Sequence, residues 1–458
     1  MRLFVKKNLA YIVCAPICIN FLTNLYLKPQ EIYILSLNVY EYISLGAASY
    51  FFYKLGILVS NILKIRSSSL GVVIFLLSFF IFENFLLGFK LLFNQTFFIV
   101  LSFWFFVLFK LSNKYDVLKV TIYFLFQFFF NRFFIDKFIK NNNIIGDVEA
   151  LWFPTAKNIY EQGYFFSLVN SPFEGYGQLV SYTQSLVYKI MFGLDNFVYF
   201  SNTTRLFLVL MVLFFLEFDI RSSIKILSIV TYLSLILNNS FWGFLFSESL
   251  MAEGISSYMF SVFIYNISQK IESNNFTINL LLFSFGFLFL SKQFFSTFVI
   301  IFLIYFGLFK ATKIGVLFGF ICIILNFLNY RFILSDLTTD PYLSQIDIFD
   351  TILDLVLFRD LELYNLVLIL KNIFIDKPLV YFLLVFIFLI IYKLLLKKSF
   401  INETYMLMFF SVLNIIFILL LYISAWRNME LESPVRFIVA FIYLKSIFIF
   451  NELENYKK

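Results

Sequence analysis

Histidine is absent from all 458 residues. That absence removes a Ser-His-Asp triad, an imidazole base and any His-ligated metal from consideration. Cysteine is nearly absent. Cys14, Cys18 and Cys322 all lie inside apolar runs, which excludes a disulfide framework. Cys14 and Cys18 share a helix face at i,i+4, a spacing better suited to small apolar packing residues than to a metal pair. Charge is scarce at 14%, against about 25% in a soluble chain. Alanine occurs only ten times. What fills the chain is apolar: 61% of residues are hydrophobic, 70 are phenylalanine, and lysine outnumbers arginine 26 to 9. Low-GC codon bias accounts for this pattern, with Phe standing in for Leu and Ala as lipid-facing filler. The apolar residues come in long runs, so a soluble enzyme, a secreted disulfide scaffold and a disordered chain are excluded.

Fourteen apolar spans follow from the hydropathy pattern: 9–27, 32–53, 70–93, 95–111, 117–135, 197–217, 223–241, 250–268, 277–290, 293–309, 314–330, 378–396, 404–424 and 435–450. Many approach the roughly 20 residues that cross a bilayer. Arg2, Lys6 and Lys7 precede the first, but no small-x-small cleavage site follows, so it reads as a helix and not a signal peptide. With the N-terminus in the cytoplasm and strict alternation, 20 of the 35 basic residues fall inside against 7 of the 28 acidic ones. The inner face is then +13 and the outer face −4, the positive-inside pattern. The net charge of +7 therefore reflects topology, and no nucleic-acid-binding module accompanies it. The expected class is an all-α polytopic membrane protein with both termini cytoplasmic. Its parts are N-terminal membrane helices over 1–135, a first outer loop with interfacial helices over 136–196, central membrane helices over 197–330, a second outer loop over 331–377 and C-terminal membrane helices over 378–458. Outer segments this long usually carry function or helices of their own.

In the first outer segment, Asp147 suits a helix N-cap and Gly163 a helix end. Trp152, Ala156, Ile159 and Gly163 fall on one stripe, which predicts a short amphipathic helix at the outer interface. A turn at Ser171–Gly177 precedes a second amphipathic run from Gln178 to Gly193. Asp147 is either a solvated N-cap or a general base. Without histidine, proton abstraction falls to a carboxylate, Lys, Tyr or Cys.

The pattern Gly146-Asp147, Trp152, Pro154, Ala156-Lys157 and Gly163 resembles the first outer loop of GT-C glycosyltransferases. These multi-spanning enzymes use polyprenyl-phosphate sugars, and they include protein O-mannosyltransferases and the aminoarabinose transferases of lipid A. The likeness continues in order through Leu179–Gly193 and Asn196–Arg205, Ser247–Glu253, Leu290–Gln293 and Glu432–Phe437, and so covers roughly residues 140–445. It implies a GT-C-like bundle of about 14 transmembrane helices with Asp147 as the catalytic residue. Many members carry an adjacent acidic pair where this chain has Asp147-Val148-Glu149. The five spans before Asp147 depart from the many relatives that have one.

Arg205, Lys292, Arg427 and Arg436 sit near outer ends of the spans. Each either snorkels to lipid headgroups or joins a clamp on a lipid-linked phosphate, for which arginine's planar fork is suited. Glu248 and Glu253, on the same side, orient an acceptor, pair with those cations or are solvated. Arg132 can pair with Asp136 one turn on. Glu41 and Glu83 lie within spans, where packing against neighbouring helices is the plain account. In the second outer segment Asp347, Asp350 and Asp354 form one polar helix face, with Asp336 and Asp340 before it. A solvated face explains them. A divalent metal is the lesser option, as no Asp-x-Asp motif supports it, and no cofactor is indicated.

The expected function is transfer of a sugar, with inversion, from a polyprenyl-phosphate donor to a lipid, glycan or protein acceptor at the outer face of the inner (plasma) membrane. Asp147 would be catalytic, with Glu149, Arg205, Glu248, Glu253, Lys292 and Arg436 binding substrate. The alternatives are an O-antigen polymerase-like or ligase-like protein, which keeps the long second outer segment in view, and a transporter or flippase. A transporter would show repeats and polar groups at the midplane.

Overall fold

A computed structural model describes residues 39–130, 152–170, 178–191, 197–217, 252–268, 275–291, 293–309 and 313–334, with isolated helical positions beyond these. Among the described residues every regular element is helical. Twelve α-helices follow in order: α1 Val39–Leu63, α2 Ser68–Phe85, α3 Phe93–Leu111, α4 Lys114–Phe130, α5 Phe153–Gln162, α6 Tyr164–Asn170, α7 Leu179–Met191, α8 Phe197–Leu216, α9 Ala252–Ser268, α10 Asn275–Gly286, α11 Gln293–Phe309 and α12 Lys313–Leu334. Contacts divide the chain into two compact units. All twelve helices lie in the one formed by Ser36–Glu217 and Leu245–Asp340. Of the other, only single helical residues such as Val367 and Ile387 are described.

Among the described residues three helices are long and apolar enough to cross a membrane: Ile43–Leu63, Ser68–Phe85 and Phe93–Leu111. Shorter apolar helices cover Thr203–Leu216, Phe276–Leu290, Phe298–Leu308 and Lys313–Asn326. The protein is therefore a helical, membrane-type chain.

The centre of the unit is α2. Its 18 residues span about 27 Å at helical rise. It packs against α1, α3, α7, α8 and α9. Its aromatic interior is continuous with its neighbours: Phe75 meets Trp104 of α3, and Phe79 stacks on Phe97. The Trp104 indole N–H donates to Ser78 Oγ at 2.7 Å, giving this apolar contact one polar register mark. The α1–α2 crossing depends on missing side chains. A methyl group on Gly56 would run into the backbone oxygen of Ser68, and one on Gly71 into the backbone oxygen of Gly56. Small residues allow backbones to approach this closely where helices associate in lipid. At the α10–α12 contact, a methyl on Gly286 would lie 2.7 Å from the Gly319 oxygen. Cys322 of α12 is buried beside Asn326, in keeping with a packing role.

The outward faces of α3 and α4 are aromatic and aliphatic. Phe98, Phe103 and Phe106 are each about 60% exposed, as are Leu118, Ile122 and Phe126 to similar degrees. An apolar belt this large is out of place in water and suits a lipid boundary. Phenylalanine thus serves as lipid-facing filler, as expected, but also as the packing material of the α2 interior.

Candidate functional site

The described helices of the segment expected to be the first outer loop pack at one end of α2 and α3. The amphipathic stripe predicted there is present: Trp152, Ala156 and Ile159 are buried on one side of α5. On the other side exposed Lys157 and Glu161 pair at 3.7 Å, one turn apart. Gly163 ends α5 with φ +104°, a backbone state that favours glycine. It is also pressed against the chain before α3, where an added methyl would lie 2.9 Å from the Leu91 oxygen and 3.1 Å from the Phe93 nitrogen. Conformation and space both require glycine.

The second amphipathic run forms α7, but it is not half-solvated. Twelve of its thirteen residues are buried, all but Lys189. The physical reason is that neighbouring helices cover it and two of its serines find protein partners. Ser185 Oγ donates to the Ala156 oxygen at 2.5 Å and Ser181 Oγ to the Trp152 oxygen at 3.4 Å, so this face is bonded to α5. Elsewhere α7 packs against α4, α8 and α9. Tyr182 meets Phe80 of α2 and Phe93 at the start of α3, and Gln178 stands one turn before it, just ahead of α7.

At that contact lies the cluster that sequence reasoning passed over. Glu83 stands at the last turn of α2, near the helix end and not at its midpoint. The Thr96 hydroxyl approaches its carboxylate from the first turn of α3, outside hydrogen-bond geometry. Tyr182 adjoins it from α7. Glu83, Asn84 and Gln178 are each 3% exposed, and Thr96 and Tyr182 not at all. Six of their polar atoms have no hydrogen-bond partner: Glu83 Oε1, Asn84 Oδ1, Thr96 Oγ1, both amide atoms of Gln178 and the Tyr182 hydroxyl. An unmade bond of this kind costs roughly 1–3 kcal/mol. Around them stand aromatic rings. Phe80, Phe93 and Tyr164 lie 5.2, 5.6 and 5.7 Å from the Tyr182 ring, all edge to face. Burial holds the Tyr182 phenol well above the usual tyrosine range, and the Glu83 charge raises it further. Tyr182 therefore remains a neutral hydroxyl that can donate. The signal that was available in the sequence is the pair of Glu83-Asn84 at the end of an otherwise apolar span with Thr96 just beyond the turn.

The opposite end of α2 holds a second carboxylate, Glu217, just past α8. It accepts from Ser67 Oγ at 2.7 Å, from the Ser68 hydroxyl, from the Ser69 backbone N–H at 2.8 Å and from Ser69 Oγ at 2.9 Å. Ser67 is also the N-cap of α2, accepting from the Leu70 N–H. An anion at a helix N-terminus is favoured by the unpaired N–H groups and the dipole there. Tyr258 of α9 lies beside Ser69, with its buried hydroxyl unbonded.

Of the residues expected to form the site, Arg205 is described most fully. It lies in the interior of α8, 3% exposed, between buried Thr204 and Leu206. A side chain so enclosed does not snorkel to headgroups. Glu253 is the second residue of α9. Asp147, Glu149, Glu248, Lys292 and Arg436 lie outside the described residues, as do Arg132, Asp136, Glu41's side chain, Cys14, Cys18, Arg427 and the second outer segment's aspartates. Near Lys292, a short 3-10 turn at Phe287–Leu290 and buried Ser291 separate α10 from α11. Among the described residues no group of three or more acidic or cysteine side chains could hold a metal ion. Compared with known proteins, the chain matches no family model, no curated sequence and no solved structure.

Proposed function

We propose that this protein is a GT-C-like glycosyltransferase of the inner (plasma) membrane, with about fourteen spans and both termini cytoplasmic. It moves a sugar from a polyprenyl-phosphate donor to a lipid, glycan or protein acceptor at the outer face. Asp147 takes the proton of the acceptor hydroxyl, which attacks the anomeric carbon and inverts it. The bond to phosphate breaks, and Arg205, Lys292 and Arg436 receive the negative charge that develops on the leaving group. Glu149, Glu248 and Glu253 orient the acceptor.

The observation that carries this reading is the burial of Arg205 deep in an apolar helix. A guanidinium is costly there and marks a cavity, a polar partner or an anionic ligand path. The ordered sequence pattern adds to it. So does the seating of α5, the helix that follows Asp147, on the α2–α3 turn through Gly163.

The test is deletion of the gene and complementation, read by mass analysis of envelope glycans. Loss of one sugar-sized increment, restored by the wild-type chain and not by Asp147→Asn, is the expected result. Full restoration by Asp147→Asn at normal protein level overturns it. One observation favours a transporter instead: Glu83 is a buried carboxylate in a span, a common mark of ion pathways. Its place at the end of α2, and not at the midplane, counts against that alternative.

A further inference from the structure

The Glu83 cluster is buried, polar and incomplete, and its unmet groups define what would complete it. Gln178 Nε2 only donates. Glu83 Oε1, Asn84 Oδ1 and Gln178 Oε1 accept, and the Thr96 and Tyr182 hydroxyls do both. An alkali or divalent cation would serve the oxygens and leave the Gln178 amide N–H stranded. An anion would serve the donors and leave the acceptors Asn84 Oδ1 and Gln178 Oε1 stranded. A neutral ligand carrying several hydroxyls serves both kinds.

The walls add a second constraint. The cluster is bordered by Phe80, Phe93 and Tyr164, which pack around the Tyr182 ring. Aromatic walls with a few convergent polar groups are the usual make-up of a small-molecule site. They suit a ring with apolar C–H faces and hydroxyls at its rim.

We infer that the Glu83 cluster is a binding site for a sugar ring, held shut in this structure by α7 and opened when α7 moves away from α2 and α3. The six unpaired atoms have no contact with solvent, so entry requires that movement. On its other face α7 is bonded to α5 through Ser181 and Ser185, so the two helices move together. Toward α2 and α3 its polar groups make no bonds that would be lost. The inference stands on this chemistry alone. Under the transferase reading it supplies the seat of the donor or acceptor ring.

The test uses the full-length chain in detergent with a panel of methyl hexosides and methyl pentosides, read by saturation-transfer NMR and by thermal unfolding. At least one glycoside binds the wild-type protein. Tyr182→Phe and Gln178→Leu each weaken that binding at least tenfold while the unfolding midpoint holds or rises. Lys157→Ala, on the exposed side of α5, binds as the wild type does. Glycoside binding with unchanged envelope glycans after gene deletion sinks the transferase reading and leaves this site standing, and glycan loss without glycoside binding does the reverse. Absence of glycoside binding by the folded wild type overturns the inference. So does equal binding by both variants. A midpoint that responds to sodium and not to any glycoside identifies a cation site and overturns it as well, and a clear fall in the Tyr182→Phe midpoint without glycoside binding identifies an internal network.

Discussion

Glu217 and Glu83 are the same kind of residue at opposite ends of α2, in opposite circumstances. Glu217 comes from the end of α8 and is received by three serine side chains and a backbone N–H at the start of α2. Glu83 belongs to α2 itself, and Oε1 of its carboxylate, with the hydroxyls and amide around it, is unbonded. The first arrangement is what a permanent joint requires, since both oxygens of the carboxylate have found donors. The second is what a ligand site requires, since separation there breaks no hydrogen bond of the six atoms and an incoming ligand supplies several. Buried polar groups left incomplete are places to look for function.

The largest effect that would test this contrast is at Glu217. Replacing it by Ala strips the acceptor from Ser67, Ser68 and Ser69 together, and stability should fall on the order of 3 kcal/mol, measured by denaturant unfolding in detergent. A loss below about 0.5 kcal/mol would show that the serines are equally content with water and would dissolve the contrast. Next is Gly71→Ala at the α1–α2 crossing. The methyl must displace backbone and not a pliable side chain, so a loss of about 2 kcal/mol is expected in the same assay. A neutral result would mean that this end of the bundle is looser than the serine joint implies.

The smallest effects belong to the Glu83 end. Glu83→Gln replaces one carboxyl oxygen and Tyr182→Phe removes a hydroxyl without a hydrogen bond, so stability should hold or rise by up to about 1 kcal/mol. A drop of about 2 kcal/mol in either would place a strong bond where none is seen, and the two ends of α2 would then be alike.

Much of the architecture was legible in the residues. Unbroken apolar runs gave the helices, and the stripe from Trp152 to Ile159 gave α5 with its buried side correctly assigned. Gly163 was legible as a helix end because only a residue without a side chain tolerates that backbone state. What was not legible depends on partners distant in the chain. Ser67–Ser69 look like an ordinary polar turn until Glu217, nearly 150 residues later, is brought to them. Gln178, Ser181, Tyr182 and Ser185 give α7 the periodicity of an interfacial helix, and only the arrival of α5, α2 and α8 shows that protein covers both faces. Arg205 and a snorkelling arginine share one sequence signature. Depth within a helix decides between them, and depth depends on where the neighbouring helices end. Glu83 was discounted for the same reason, since a glutamate within an apolar run gives no sign that Thr96 and Tyr182 will face it.

The serine joint also has a mechanical consequence. From Ser69 to Glu83 is fifteen residues of unbroken helix, a rod of about 21 Å. With the Ser69 end fixed to α8, the rod is a lever. A tilt of only about 5° carries Glu83 through roughly 2 Å, the difference between a hydrogen bond and none. A disturbance too small to notice at the serines would thus be read out in full at the far tip.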